Sequence, residues 1–255
     1  MREYENFFSD NEAIFNAAGI DYIGAETTSK LRFYYNFIIK NFREISGDIF
    51  EFGVFRGSSL LATAILLKKL GSKKIVYGFD SFKGFPNYHE KDSLKNFKEF
   101  KYFSESFQKN HEMYKKIIPK TRINVSTIST SEIFKNTSMN LVMKRLKKLQ
   151  LDNVMIVKGN FDKTIPNFFR DNNKKIKIFC ANIDCDLYQG YEYILANITK
   201  NLSKGSYVHL DEYYSYKFPG AKIAVDEFLD KNKSLKLYKN NNRAGEFDRY
   251  YLLKV

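Results

Sequence analysis

The sequence predicts an α/β fold: a seven-stranded, mainly parallel sheet with helices on both faces, an antiparallel C-terminal hairpin and a helical N-terminal segment. Three observations carry this. Short apolar runs near 48–54, 74–79, 153–157, 176–183 and 205–211 alternate with segments of helical periodicity near 58–70, 138–150, 163–172, 189–203 and 220–231, and such alternation builds parallel strands joined by crossover helices. Two more apolar-alternating runs, 234–239 and 247–254, flank the polar stretch Asn240-Asn241-Asn242-Arg243-Ala244-Gly245 and read as the hairpin. Gly- and Asp-containing motifs follow the first five runs, at the sheet edge where open α/β folds bind ligands.

The elements before the first strand read as helical over 1–45. Leu31, Tyr34, Tyr35, Phe37 and Ile38 recur at helical spacing between about 27 and 43, giving a helix that packs beside the sheet, near the ligand edge. After the second strand, residues 87–131 break the rhythm. They are rich in Lys, Phe, Tyr and Asn, and they leave the sheet on its ligand-binding side. This insertion reads as a candidate substrate lid, or else as a solvated helical excursion.

With 255 residues, 44% of them hydrophobic and 16% aromatic, the chain is expected to bury a substantial core and to form one domain over 1–255. No run of about 18 apolar residues occurs, and Met1-Arg2-Glu3-Tyr4-Glu5-Asn6 lacks the apolar core of a signal peptide. The expectation is a cytoplasmic protein without membrane insertion. Cys180 and Cys185 lie five apart on or near one predicted strand, on opposite faces, and so do not bridge. The net charge of +13 attracts anions such as nucleic acid, a membrane surface or a phosphorylated small molecule. However, the lysines are spread along the chain rather than gathered in an Arg-rich patch. Around 142–149, for instance, Val142, Leu146 and Leu149 form an apolar face while Lys144, Arg145, Lys147 and Lys148 project elsewhere, as in an ordinary amphipathic helix. A nucleic-acid partner is therefore not expected, and a homo-oligomer is compatible with the chain.

The richest motif is Ile49-Phe50-Glu51-Phe52-Gly53-Val54-Phe55-Arg56-Gly57-Ser58-Ser59. A buried strand ends in a glycine turn, and a helix opening at Ser58 presents unpaired N–H groups to a ligand. Gly53 and Gly57 let the backbone approach that ligand closely. The spacing is not the Gly-x-Gly-x-x-Gly of a dinucleotide site, so the ligand lacks a pyrophosphate. Glu51 can meet a ligand ammonium, hold the turn by hydrogen bonds or serve only the core. Asp80, ending the second strand ahead of Ser81, can accept from a ribose diol or cap the following turn. After the third strand, Asn160 and Asp162 can bond an adenine edge and Phe161 can stack on it; alternatively Asp162 caps a helix.

The fourth and fifth strands end in Asp184-Cys185-Asp186 and His209-Leu210-Asp211-Glu212. Four carboxylates at neighbouring strand ends repel one another unless a cation joins them. Oxygen ligands suit Mg²⁺ or another divalent cation. Asp184, Asp211 and Glu212 are the candidate ligands, and Asp186 is a ligand, a general base or an outer hydrogen-bond acceptor. Some of these acids can instead cap helices or pair with Lys and Arg. His209, on the same face as Asp211, is either a general base or a hydrogen-bonded core histidine.

These segments, with Asp80-Ser81-Phe82-Lys83-Gly84-Phe85-Pro86, Val157-Lys158-Gly159-Asn160-Phe161-Asp162-Lys163-Thr164-Ile165-Pro166 and Asp184-Cys185-Asp186-Leu187-Tyr188, resemble the macrocin O-methyltransferase family of class I, Rossmann-like S-adenosylmethionine-dependent methyltransferases. The resemblance spans about residues 30–232. It implies S-adenosylmethionine at Glu51, Gly53, Arg56, Gly57, Ser58, Asp80 and Ser81, with adenine near Asn160, Phe161 and Asp162, and a divalent metal at Asp184, Asp211 and Glu212. Two departures stand out: Asn160 where a bulky aromatic is common, and Glu212 where a second Asp is common.

The implied activity is methyl transfer to a hydroxyl of a sugar or sugar-containing small molecule, free or linked to phosphate or nucleotide. Asp186, His209 and Asp184 are the candidate bases, and Arg56 and Lys83 are candidates for holding a phosphate. Two alternatives carry different consequences. An RNA methyltransferase would show basic residues interleaved with aromatics or an added RNA-binding module. A non-catalytic binding protein would need neither the glycine turn nor the acids.

Overall fold

The computed structural model describes residues 7, 9–17, 30–93, 137–172, 176–215, 218–241 and 248–255, together with positions 96, 112, 116 and 135. Beyond residue 93, the 87–131 insertion lies almost wholly outside the described residues, as does its reading as a lid. Residues 242–247, which hold most of the expected 240–245 turn and the first residue of the expected last strand, also lie outside them.

Helices α1 (Glu12–Ala17) and α2 (Arg32–Asn41) precede the sheet. Strand and helix then alternate: β1 (Asp48–Phe52), α3 (Ser58–Lys69), β2 (Val76–Asp80), α4 (Met139–Lys148), β3 (Val154–Lys158), α5 (Phe161–Asp171), β4 (Ile178–Ile183), α6 (Tyr188–Ile198), β5 (Leu202–Leu210) and α7 (Pro219–Lys231). Strands β6 (Leu235–Lys239) and β7 (Tyr250–Lys254) follow. The sheet order is β3-β2-β1-β4-β5-β7-β6. The first five strands are parallel, and β7 runs antiparallel to both β5 and β6. The expected mixed sheet with its antiparallel C-terminal pair is therefore what forms.

Each face of the sheet carries its own apolar layer. On one, α2, α3 and α4 contribute Tyr34, Tyr35, Ile38, Leu60 to Leu67, Val142 and Leu146 against Ile49, Val76 and Cys180. Helix α3 is buried along its length from Leu60 to Leu67, packed in one cluster with α2, α4 and the sheet. On the other face, α5, α6 and α7 pack on an aromatic stack: Phe52 lies 5.0 Å from Phe79, Phe50 5.7 Å from Phe79 and Phe50 5.9 Å from Phe169.

Among the boundaries that differ from the sequence expectation, two are informative. Periodicity extends a helix over 189–203, whereas α6 stops at Ile198 and β5 already begins at Leu202. Tyr191, Ile194, Leu195, Ile198 and Leu202 continue one helical stripe in sequence, but Leu202 pairs with Ile178 in the sheet. The register between these strands then shifts, and Gly205 accommodates the irregularity at φ 81°. Helix α5 starts at Phe161 rather than 163, so Asp162 lies in its first turn and Asn160 takes the position before it. Both cysteines are free thiols, although Cys185 lies beyond the end of β4, so the opposite-face argument does not apply to it. No helix among the described residues is long and apolar enough to cross a membrane.

The first layer also holds a polar row. Register aligns Glu51 on β1 with Asn182 on β4 and His209 on β5, and none of the three is exposed. They lie under α2, with the His209 ring 6.4 Å from that of Tyr34.

The aromatic stack gives a direct test of the core. Phe50 is completely buried, so Phe50→Ala is expected to lower the unfolding free energy by about 3–5 kcal/mol, read by urea denaturation. A loss below about 1 kcal/mol would mean that the layer collapses to fill the space.

Candidate active site

The parallel strands deliver their following residues to one edge, and backbone hydrogen bonds continue past the strands to lock those residues side by side. Gly159 N–H donates to Asp80 O at 2.9 Å, Gly53 N–H to Phe79 O at 3.0 Å, Asp184 N–H to Phe52 O at 2.9 Å and Asp211 N–H to Ile183 O at 3.0 Å. Every strand-end motif singled out in the sequence is thus brought to this edge. Gly53 matters most. Its φ is 93°, and a Cβ there would lie 1.7 Å from the carbonyl oxygen of Asp184. Its missing side chain lets the glycine turn and the acidic strand end touch.

The turn after β1 is held by Asp80. Its Oδ2 accepts from Val54 N–H and Phe55 N–H, each at 2.8 Å, and its Oδ1 accepts from Phe82 N–H at 2.6 Å. Phe55 and Phe82 both have positive φ, 50° and 53°, a region unfavourable to bulky residues. The carboxylate staples both. Asp80 therefore performs the turn-holding role considered for it, across two loops rather than one. Ser81 bonds within its own turn, donating to Gly84 O at 3.1 Å and accepting from Lys83 N–H at 3.2 Å. Gly57, at φ 85°, precedes α3 without a side-chain cap, and Ser58 opens that helix. The guanidinium of Arg56 lies 5.2 Å from the centre of the Phe55 ring, and its carbonyl accepts from Arg145 Nη1 at 2.6 Å.

Glu51 sits beneath this turn. Its Oε1 accepts from the Ser59 hydroxyl at 2.7 Å, while Oε2 is buried with no hydrogen-bond partner. Burial pushes the carboxyl up to about 8; the Ser59 bond opposes the rise, the charge of Asp184 adds to it, and weaker approaches of the Asn182 side chain and the Leu60 amide also oppose it. A buried, unpartnered oxygen beneath a glycine turn fits a ligand carrying an ammonium group. The pairing with Ser59 escaped the sequence reading, although eight residues and one turn separate the two. Across the edge, Asn160 lies at the start of α5 with its carbonyl bonded to Thr164. Asp162 is exposed, and the ring of Phe161 meets Phe52 edge-on at 6.0 Å.

The acids gather as expected. Asp184, Asp211 and Glu212 each bring a carboxylate oxygen within 4.8 Å of the others. Asp211 Oδ1 is buried without a hydrogen-bond partner. An all-oxygen set with a vacant buried lone pair fits a hard divalent cation. Glu212 is buried. Its Oε2 accepts from Tyr191 OH at 2.7 Å and from Asp186 N–H at 3.2 Å, and burial, then Asp184 and Asp186, push its carboxyl well above the usual range. The longer arm of Glu at 212 is thus anchored. It also fixes Asp186, whose φ of 64° is left-handed; such strain persists only where neighbours enforce it.

His209 is fully buried, and both its ring nitrogens lack hydrogen-bond partners. Its Nε2 lies 3.6 Å from Asp211 Oδ1. Burial, followed by the positive charges of Arg249 and Lys30, holds it well below the ordinary imidazole range, in the neutral form. Its surroundings are the core, as the second sequence reading had it, but without the hydrogen bonds that reading supplied.

Two features were missed. Lys30 brings Nζ to 3.2 Å from Asp184 Oδ2 and 2.5 Å from Asp211 Oδ2; nothing in the sequence distinguishes it from other lysines. The start of the insertion is also pinned. Asp92 Oδ1 accepts from Tyr188 N–H at 2.8 Å, in space that a Cβ at Gly220 would fill, 2.0 Å from that oxygen. Lys91 Nζ meets Glu227 at 2.7 Å and Tyr188 OH at 3.0 Å, and His89 stacks on Tyr188 at 4.7 Å. Residues 89–92 therefore lie fastened to α6 and α7.

The macrocin O-methyltransferase (TylF) family profile matches residues 15–240. Among solved structures, the chain is similar to the O-methyltransferase NovP at 22% identity and TM-score 0.60, over 89% of this chain and 78% of that one. It is similar to CalS11, a calicheamicin methyltransferase, at 22% identity and TM-score 0.60, over 90% and 79%; a second CalS11 structure, described as a TDP-rhamnose 3'-O-methyltransferase, gives 20% and 0.55 over 90% and 80%. An O-methyltransferase from Bacillus cereus in complex with SAH matches at 12% identity and TM-score 0.51, over 96% and 88%. These likenesses share the fold. No curated protein matches the chain.

The buried carboxyl beneath the turn makes stability depend on pH. Its value is raised from 4.5 to about 8, so between these limits the folded state binds the extra proton. Stability is full below the unfolded value and falls as pH rises towards 8. Glu51→Gln, which keeps the neutral shape, is expected to gain on wild type across this window in pH-resolved thermal melts. Parallel curves for the two proteins would refute the assignment.

Proposed function

The chain belongs to the macrocin O-methyltransferase family, S-adenosylmethionine-dependent O-methyltransferases, and from that premise we propose that it methylates a sugar hydroxyl with the help of a divalent metal. The observation that carries this reading is the contact between the two halves of the edge. The glycine turn and the three-carboxylate cluster meet where Gly53 lies against Asp184. The acceptor class is supported by CalS11, whose acceptor is a sugar linked to a nucleotide; in this chain a sugar that is free or carried on phosphate or nucleotide is proposed.

In this proposal the donor is held by Glu51, Gly53, Arg56, Gly57, Ser58, Asp80 and Ser81, with Asn160, Phe161 and Asp162 towards the adenine. Glu51 Oε2 receives the donor's ammonium, for which its lack of a partner suits it. Asp80, with its amides already stapled, offers its remaining lone pairs to the ribose. When bound, S-adenosylmethionine supplies an electrophilic methyl, and a divalent cation held by Asp184, Asp211 and Glu212 would make a neighbouring hydroxyl more acidic.

The chain's own residues then orient the acceptor and receive its proton. Asp186 is proposed as the base. It projects from a backbone fixed by Glu212, whereas the His209 ring is fully buried. Asp184, a proposed ligand, is less suited to accept a proton. Positioning alone can contribute several kcal/mol in reactions of this kind, up to about 7–11 kcal/mol. Arg56 and Lys83 are candidates for a phosphate of the acceptor.

The test is transfer of labelled methyl from S-adenosylmethionine to a panel of free and nucleotide-linked sugars, with Mg²⁺ and with chelator. Transfer is expected only with metal; full activity in excess chelator would remove the metal from the proposal. Asp211→Asn is expected to abolish transfer while calorimetry still detects donor binding. Asp186→Asn is expected to lower kcat by about 10²–10⁴-fold with donor affinity unchanged; wild-type turnover would transfer the base role elsewhere.

A further inference from the structure

Lys30 stands two residues before α2, and its ammonium lies where the acid cluster converges. Nζ is 3.2 Å from Asp184 Oδ2 and 2.5 Å from Asp211 Oδ2. These are two of the three carboxylates whose oxygens gather within 4.8 Å. The Asp211 side chain is only 9% exposed and that of Lys30 26%, so solvent screens this pair less than a surface ion pair. The cluster thus contains its own cation at hydrogen-bond distance, with the Arg249 guanidinium farther off at 3.9 Å from Asp211 Oδ1. A divalent ion binds carboxylate oxygens at about 2.1–2.5 Å, and it cannot share these oxygens with an ammonium already at hydrogen-bond distance. The two positive centres would also repel each other.

The neighbouring structure says which partner can yield. Helix α2 is anchored: Leu31, Tyr34, Tyr35 and Ile38 are all buried. The lysine stem is a flexible four-carbon chain carrying a compact charge, so it can swing away without moving the helix. The acids have less freedom. Asp184 and Asp211 are tied through their amides to Phe52 and Ile183, and Glu212 is held by Tyr191.

We propose that Lys30 is the resident counter-ion of the acid cluster and competes with the divalent cation for Asp184 and Asp211, so that metal binds only as Lys30 withdraws. The inference rests on the metal reading above and adds to it a competitor that sets the affinity. Without metal, Lys30 neutralises the mutual repulsion of the carboxylates. With metal, its ammonium is released from the two carboxylates.

Calorimetric titration of Mg²⁺ into the whole chain, without donor or acceptor, tests this with wild type, Lys30→Met, Lys30→Gln and Asp211→Asn. Removing a competing cation is expected to tighten Mg²⁺ binding in both Lys30 variants by about tenfold or more, and Asp211→Asn should lose binding. Wild-type protein gives an independent readout. Amine-specific labelling followed by mass spectrometry should show Lys30 becoming more reactive in Mg²⁺ relative to the other lysines. If wild type binds Mg²⁺ but the Lys30 variants bind no more tightly, or Lys30 labelling is unchanged by bound Mg²⁺, the competition is overturned and the metal reading stands. If neither wild type nor the variants bind Mg²⁺, the metal reading falls and this inference falls with it.

Discussion

A single close approach sets the geometry of the candidate site. The α-carbon of Gly53 and the carbonyl of Asp184 leave no room for a Cβ between them. Because of that contact, the loop after β1 and the loop after β4 share one wall, and the proposed donor and acceptor groups are neighbours. The same edge is tied on either side by amide bonds that run on past the strands, from Gly159 to Asp80 and from Asp211 to Ile183. The loops are therefore hydrogen-bonded extensions of the sheet. Asp80 completes the arrangement by fixing Phe55 and Phe82 in backbone conformations that such residues rarely adopt alone.

Beneath this edge the chain departs from ordinary core chemistry. Glu51, Asn182 and His209 form a buried row, and several of their polar atoms have no hydrogen-bond partner. Such groups are costly in a dry interior, typically about 1–3 kcal/mol each. The row lies under the edge where the donor is proposed to bind, and in that proposal a charged ligand above it offsets part of the cost. Glu212 shows the contrasting solution, with one carboxylate oxygen accepting from both Tyr191 and Asp186.

Much of this was legible in the sequence because its cause is local. Apolar runs bounded by glycine and aspartate define the strands, and the residues just past each run fall on one edge by topology alone. The motifs at Glu51–Gly57, Asp80–Pro86 and Asp184–Tyr188 carried the family resemblance. What was not legible depends on partners distant in sequence. The stripe from Tyr191 to Leu202 keeps helical spacing, and only pairing with Ile178 reveals that Leu202 belongs to a strand. Lys30 is one of 42 basic residues, and its role appears only when Asp184 and Asp211 stand beside it. Asp92 lies in a stretch without periodicity, and its bond to Tyr188 spans 96 residues.

The order of the last strands has a consequence for how the molecule is made. β6 touches the rest of the sheet only through β7, the strand that follows it in the chain. As the polypeptide leaves the ribosome, β6 has no seat until Tyr250 to Lys254 have emerged and aligned against Tyr207 to Leu210. During that interval β5 presents an open edge, the type of surface that recruits other nascent chains. The fold therefore passes through a vulnerable stage between the formation of β5 and the arrival of β7, when protection by a chaperone would have its greatest effect.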